Sequence, residues 1–371
     1  MIINNTRSSD KSLHVVWEDG SETEFPYIWL RDNDMNELHP QTHERVFDLC
    51  SVSLNITPEH HCVEAGSLKI QWPNKHSISV YTASWLHCHQ PGSKRIDPAN
   101  IDKVLWDTES HKDIESFNAK SCLQSNSELQ EMLLCLKQNG LLLIDGLADN
   151  SNAGAEFGSA IGFKRESNFG VMFDVISQAT PVNLAYTSVA LPLHTDLPNQ
   201  SMVPSYQFLH CYLNTVVGGE SVFADGFKIC ADLAEQEPTK FELLKNTKIP
   251  WRFHDQDCDI RSHRSIINLG ADGTFESLVF NAHLADVPDM SVETLHDFYA
   301  AYQDLMQRIR NPKYAIYHHL KPSQMVVFDN QRVLHSRTEF DPNSGERHLR
   351  GYYIDNNEID SKIRKLELSK R

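Results

Sequence analysis

Near the start of the chain, hydrophobic and polar positions alternate in three short runs, at 13–17, 68–72 and 78–81. A period of two puts successive side chains on opposite faces of a strand. The spacing therefore predicts a small β-rich domain over 1–95. A polar stretch with Pro91, Gly92 and Pro98 follows, and 96–125 reads as a linker. Beyond it the period changes. Leu129, Met132, Leu133 and Leu136 recur at helical spacing behind Ser127 and Gln130, which fit a capping box, and Gly140 supplies a stop. A continuous apolar run at 141–144 and the segment 324–328, apolar from Met325 on, have strand length. Over 204–214, Tyr206, Phe208, His210 and Tyr212 fall on one face, with Gln207, Leu209, Cys211 and Leu213 on the other. Leu295, Phe298, Tyr302, Leu305 and Ile309 stripe an amphipathic helix over 291–310. Strands dominate and helices fall between them. Residues 126–371 are thus predicted to form a β-sandwich with helices packed outside, not a wound parallel sheet.

Charge narrows the partners. Lys and Arg number 34 against 50 Asp and Glu, a net charge of −16. Such a field repels nucleic acid and anionic membrane surfaces, so neither is expected as a partner. No apolar run approaches the ~20 residues of a membrane-spanning helix, and Met1 to Arg7 lack a charged-then-apolar leader pattern. The eight cysteines are scattered without a Cys-x-x-Cys pair, which predicts reduced thiols and a cytoplasmic location.

The sharpest chemical signal is His194-Thr195-Asp196. On an extended strand, residues i and i+2 face the same way, so an imidazole and a carboxylate can share one metal. His335, just beyond the run at 324–328, can supply a third ligand. Two histidines and one carboxylate leave positions open for a co-substrate and O₂, the arrangement of non-haem Fe(II) oxygenases. A 2-oxoglutarate-dependent oxygenase also needs a fixed cation for the distal carboxylate, and guanidinium offers a bidentate fork. Arg332, Arg337, Arg347 and Arg350 cluster nearby in an otherwise acidic chain, with Arg347 the candidate. The competing readings are a surface turn at Asp196, a solvated edge strand at the arginines, and a zinc hydrolase on the same three ligands. The hydrolase has no need of a carboxylate-binding arginine.

Further ordered motifs accompany these residues. They are Trp29-Leu30-Arg31-Asp32-Asn33, Asn183-Leu184-Ala185-Tyr186-Thr187, Leu209-His210-Cys211, Gly218-Gly219-Glu220-Ser221, Asp225-Gly226-Phe227, Phe328-Asp329-Asn330 running to His335 and Arg337, and Arg347-His348-Leu349 running to Tyr353. Together they resemble the γ-butyrobetaine dioxygenase and trimethyllysine dioxygenase family, Fe(II)- and 2-oxoglutarate-dependent hydroxylases of carnitine biosynthesis. The resemblance implies a distorted double-stranded β-helix, or jelly roll, preceded by a small β-rich domain. It implies Fe(II) on His194, Asp196 and His335, 2-oxoglutarate held by Arg347 beside Leu209, O₂ as oxidant, ascorbate as reductant, and a homodimer. It also implies a cage of aromatic rings for a trimethylammonium group, recognised by cation–π attraction, at Phe169, Phe173, Tyr186 and Tyr353. Asn183 and Asn281 fall where that family binds the substrate's carboxylate end. Simple core packing is the alternative for Phe169 and Phe173.

Two departures from the family pattern stand out. The family's N-terminal domain usually holds zinc through three Cys and one His. Here the corresponding stretch reads Asp34-Met35-Asn36-Glu37-Leu38, and only His76 matches. One imidazole cannot hold a structural zinc, so none is expected. Leu197 stands where the butyrobetaine enzymes have Tyr, and Phe169 and Phe173 where they have a Tyr and a Trp. The substrate therefore stays open among γ-butyrobetaine, 2-(trimethylammonio)ethylphosphonate and trimethyllysine.

Overall fold

The computed structural model describes residues 1–176 and 187–370. The chain divides into two compact units, Met1–Asp97 and Pro98–Arg371. Among the described residues, no helix is long and apolar enough to cross a membrane. All eight cysteines are free.

The first unit contains two three-stranded antiparallel sheets. One is Ile3–Ser8, Ser12–Trp17 and Glu22–Pro26, and the other is His60–Glu64, Ser67–Gln71 and Ser79–Thr82. The alternation read from sequence is the alternation of burial. Leu13, Val15 and Trp17 meet Leu68, Ile70, Trp72 and Tyr81 in one apolar cluster. Beside this core lies a knot of ions. The buried Asp34 carboxylate accepts the Asn36 N–H at 3.0 Å and the Ser79 hydroxyl, and it pairs with the Lys75 ammonium. The same ammonium reaches Glu37 Oε1 at 3.1 Å, and Glu37 pairs with Arg31 at 2.9 Å.

The second unit is a sandwich of two sheets. The larger has the order Phe173–Val175, Arg347–Ile354, Tyr206–Asn214, Gln324–Asp329, Leu141–Asp145, Ser116–Asn118, with Lys164–Arg165 also paired to Arg347–Ile354. The smaller has the order Leu191–His194, Val333–Arg337, Ser221–Asp225, Ile316–His318. Every pairing is antiparallel except Ser116–Asn118 with Leu141–Asp145. Alternate residues of both sheets fill the interior: Leu141, Leu143, Cys211, Val326 and Phe328 from the larger, Phe223, Ile316 and Val333 from the smaller. The opposite face of the larger sheet, including Tyr206, Phe208 and Tyr352, is covered by helices Asn126–Asn139, Ala153–Ser159 and Asn356–Leu368. Helices Gly226–Gln236, Pro238–Asn246 and Val292–Ile309 pack on Ala224 and Leu334 behind the smaller sheet. This is the jelly roll with outer helices that the sequence predicts.

Local expectations need correction at two places. Residues 98–125 do not form a bare linker: they hold a strand, the helix Ala119–Gln124, and a buried Trp106 whose indole N–H donates to Asn139 O at 2.7 Å. Isolated buried residues in a polar run have no period to read. The first long helix is capped by Ser125, not Ser127; the Ser125 hydroxyl accepts the Glu128 N–H at 3.3 Å. Both serines fit the pattern, and the earlier one places Glu128 in the first turn, where negative charge is favoured. Gly140 does end this helix, at φ +73°.

Candidate active site

His194 closes the strand Leu191–His194 and lies in register with His335 of the neighbouring strand. The strand stops there, so Asp196 does not arrive by simple alternation. A turn brings it round, with Leu197 at φ +56°. The turn is held on both sides. The Thr195 N–H donates to Phe280 O at 2.7 Å, and the Thr195 hydroxyl accepts the Phe280 N–H at 2.9 Å. The fully buried Asn330 accepts the Asp196 N–H at 2.6 Å and donates to Asp196 O at 3.2 Å and Pro204 O at 3.0 Å.

One ligand atom from each of His194, Asp196 and His335 falls within 4.8 Å of the others. Asp196 Oδ1 is 3.3 Å from His194 Nε2 and 3.6 Å from His335 Nε2. His194 Nδ1 lies 2.8 Å from the Pro192 carbonyl oxygen, so Nδ1 carries the proton and Nε2 offers its lone pair. Burial lowers the pKa of both imidazoles and the Asp196 charge raises it; the balance ends above the ordinary value for His194 and below it for His335. Burial disfavours the Asp196 charge, yet the two imidazoles hold that carboxyl well below the usual range. An ionised carboxylate between two imidazoles is a donor set suited to a divalent transition metal.

These three residues open onto a cavity of about 480 Å³. Phe169, Phe173, Leu209, Asn281, Arg347 and Tyr353 also line it. Asn183 and Tyr186 lie outside the described residues. Arg347 is buried, and its strand runs inside the larger sheet, between Phe173–Val175 and Tyr206–Asn214. It is therefore no solvated edge. Burial, reinforced by the charge of Arg337, pushes its pKa down to about 10. Its Nε has no hydrogen-bond partner, and no carboxylate among the described residues pairs with it. Its guanidinium carbon lies 5.7 Å from the Phe340 ring centre, with that of Arg337 4.8 Å from the same ring. The other clustered arginines have different work. Arg332 forks onto Asp225 at 3.1 and 2.8 Å and also donates to the carbonyls of Gln138 and Val104, while Arg350 forks onto Asp174.

Phe173 and Tyr353 stand 5.4 Å apart, ring centre to ring centre, and so do Phe169 and Phe253. Phe169 and Phe173 are half-buried on the cavity wall, not packed into the core. Gly351 makes room for this arrangement. It lies opposite both Phe173 and Leu209, and a Cβ there would come within 2.5 Å of the Phe173 ring. The Asn281 amide is already engaged, donating to Thr195 O at 3.3 Å and accepting the His283 N–H at 3.1 Å. Sequence reading missed Phe253, which looks like one more buried residue of an alternating strand. It also missed Gln207, a neighbour of Leu209 on the same strand face, and Arg252 and His283, which reach the cavity from motif-free segments.

A model of the taurine catabolism dioxygenase TauD, TfdA family matches residues 107–353, and one of the gamma-butyrobetaine hydroxylase-like N-terminal domain matches 4–87. The chain is 34% identical to the gamma-butyrobetaine dioxygenase of Pseudomonas sp. strain AK-1, over 95% of this chain and 92% of the relative. It is 27% identical to the mitochondrial trimethyllysine dioxygenase of Homo sapiens, over 97% and 89%. In fold it is similar to an asparagine oxygenase solved with Fe(II), 3-hydroxyasparagine and succinate, with a TM-score of 0.51 at 15% identity, covering 64% of this chain and 83% of that one.

Proposed function

The chain belongs to the TauD, TfdA family, in its γ-butyrobetaine and trimethyllysine dioxygenase branch, and from that membership we propose that it hydroxylates a small acid carrying a trimethylammonium group. It is an Fe(II)- and 2-oxoglutarate-dependent dioxygenase. The observation that carries the substrate reading is a single cavity with a His-Asp-His cluster, a buried arginine lacking a carboxylate partner, and facing aromatic rings.

His194, Asp196 and His335 would hold the iron. When bound, iron would let O₂ oxidise both 2-oxoglutarate and substrate, one oxygen atom going to succinate as CO₂ leaves and the other converting a C–H bond to C–OH. Arg347 binds the distal carboxylate of 2-oxoglutarate, and Leu209 packs against its chain. Phe169, Phe173, Phe253 and Tyr353 surround the cation. A quaternary ammonium has no hydrogen-bond donor, so ring faces and exclusion of water recognise it. Asn281 lies at the anionic end. The chain's contribution is positioning: fixing both ends of the substrate decides which carbon faces the metal.

His283 and Arg252, the latter forked onto Asp259 at 2.9 and 3.0 Å, line the same cavity while the Asn281 amide is engaged internally. That favours, as a second reading, the oxygen-rich anion of 2-(trimethylammonio)ethylphosphonate. Succinate formation with Fe(II), 2-oxoglutarate and ascorbate separates the substrates. Preference for γ-butyrobetaine means a carnitine-forming enzyme, and preference for the phosphonate means the second reading. Stimulation by neither, nor by trimethyllysine, refutes the trimethylammonium assignment. We further propose a cytoplasmic homodimer, to be tested by light scattering and fractionation.

A further inference from the structure

We propose that Tyr353 is a positioning residue of the metal centre as well as a wall of the aromatic cavity: its phenol holds Asp196 as a one-oxygen ligand. The inference rests on the reading of His194, Asp196 and His335 as metal ligands. The Tyr353 hydroxyl donates to Asp196 Oδ2 at 2.7 Å. The other oxygen, Oδ1, is the one facing both imidazoles, at 3.3 and 3.6 Å. The two carboxylate oxygens are thus already divided between two tasks.

The division matters because a carboxylate can bind a metal through one oxygen or two, and the second oxygen takes a coordination position. Two imidazoles and one oxygen leave three positions open, enough for a chelating co-substrate and O₂. Asn330 fixes the backbone of Asp196 at both its N–H and its carbonyl. What remains free is rotation of the side chain, and the phenol stops it. Hydrogen-bonded partners of this kind orient metal ligands and tune their donor strength. Tyr353 can reach because it shares the inward face of its strand with Arg347 and Leu349, in register with Gln207. Its ring meanwhile stays beside Phe173.

Tyr353→Phe removes the hydroxyl and keeps the ring; Phe173→Leu removes a cage ring and keeps the hydroxyl. Each metal-free protein is titrated with Co(II), whose visible absorption reports both affinity and coordination number. Tyr353→Phe is expected to weaken Co(II) binding by about 10–100-fold, the usual effect of losing a partner of a ligand. Its spectrum should shift toward higher coordination as Oδ2 becomes available. Phe173→Leu should bind Co(II) as the unaltered protein does. Wild-type affinity and spectrum in Tyr353→Phe overturn the proposal. His194→Ala tests the underlying reading separately: if it too binds Co(II) normally, the ligand assignment itself is wrong.

Discussion

Two regions of this molecule bury charge, and they handle it in opposite ways. In the first unit, the carboxylates of Asp34 and Glu37 are paired with Lys75 and Arg31, although Arg31 Nη1 has no hydrogen-bond partner. In the second, Arg347 sits buried with an unpartnered Nε and no carboxylate on it among the described residues. Every cation of the first cluster has a carboxylate partner, so its charges hold the fold together. The second is open, and an unpaired buried cation costs stability until an anion arrives. The Lys75 ammonium bridges the carboxylates of Asp34 and Glu37.

The comparison is tested most severely at the metal cluster. His335→Ala should abolish turnover and specific metal uptake while leaving the protein folded; robust succinate formation by this variant refutes the ligand assignment. Next comes Lys75→Met, which leaves Asp34 buried and unpaired. Removing one partner of a buried pair costs about 3–5 kcal/mol, so the first unit should melt earlier. Asp34→Asn in the same chain should recover much of that loss, and a chelator should not move the transition of the unaltered protein. A transition lowered by chelation would show that a metal holds this unit after all.

Arg347→Met is expected to act in two directions. The 2-oxoglutarate requirement should rise by roughly 30-fold or more, the equivalent of about 2–5 kcal/mol for a lost buried charge partner. Unfolding of the ligand-free protein should become harder by about 1–3 kcal/mol, since an unsatisfied polar group has left the interior. If stability falls instead, Arg347 has a partner within the fold and the contrast collapses. The smallest effect is expected from Gly351→Ala. Its methyl group displaces the Phe173 ring and should raise the substrate KM several-fold, about 1 kcal/mol, with little change in 2-oxoglutarate KM.

Much of this was legible in the residues, and the illegible parts share a cause. The alternation at 13–17 and 68–72, and the apolar runs at 141–144 and 325–328, were readable because burial on a strand imposes a period. The ligand cluster was readable because few side chains can hold a metal. The arginines were harder. Sequence records four guanidiniums, yet only structure tells that Arg332 and Arg350 have carboxylates and that Arg347 lies inside a sheet. Phe253 was invisible because a cavity wall and a core obey the same alternation. The route by which Asp196 reaches the two imidazoles is a turn and not a continued strand, and its positive φ falls at Leu197, a residue type that does not announce one.

The fork of Arg332 on Asp225 also sets how short the catalytic unit can be. That pair is completely buried, and it is completed by the Val104 carbonyl and by the Trp106 N–H, which reaches Asp225 at 3.0 Å. A fragment begun at residue 126 would retain every candidate ligand and every motif from Asn183 onward. It would nevertheless leave a guanidinium and a carboxylate short of partners in a dry interior, at the entrance to the strand that carries His335. The smallest self-sufficient enzyme therefore begins before Val104, well upstream of the first residue that touches the chemistry.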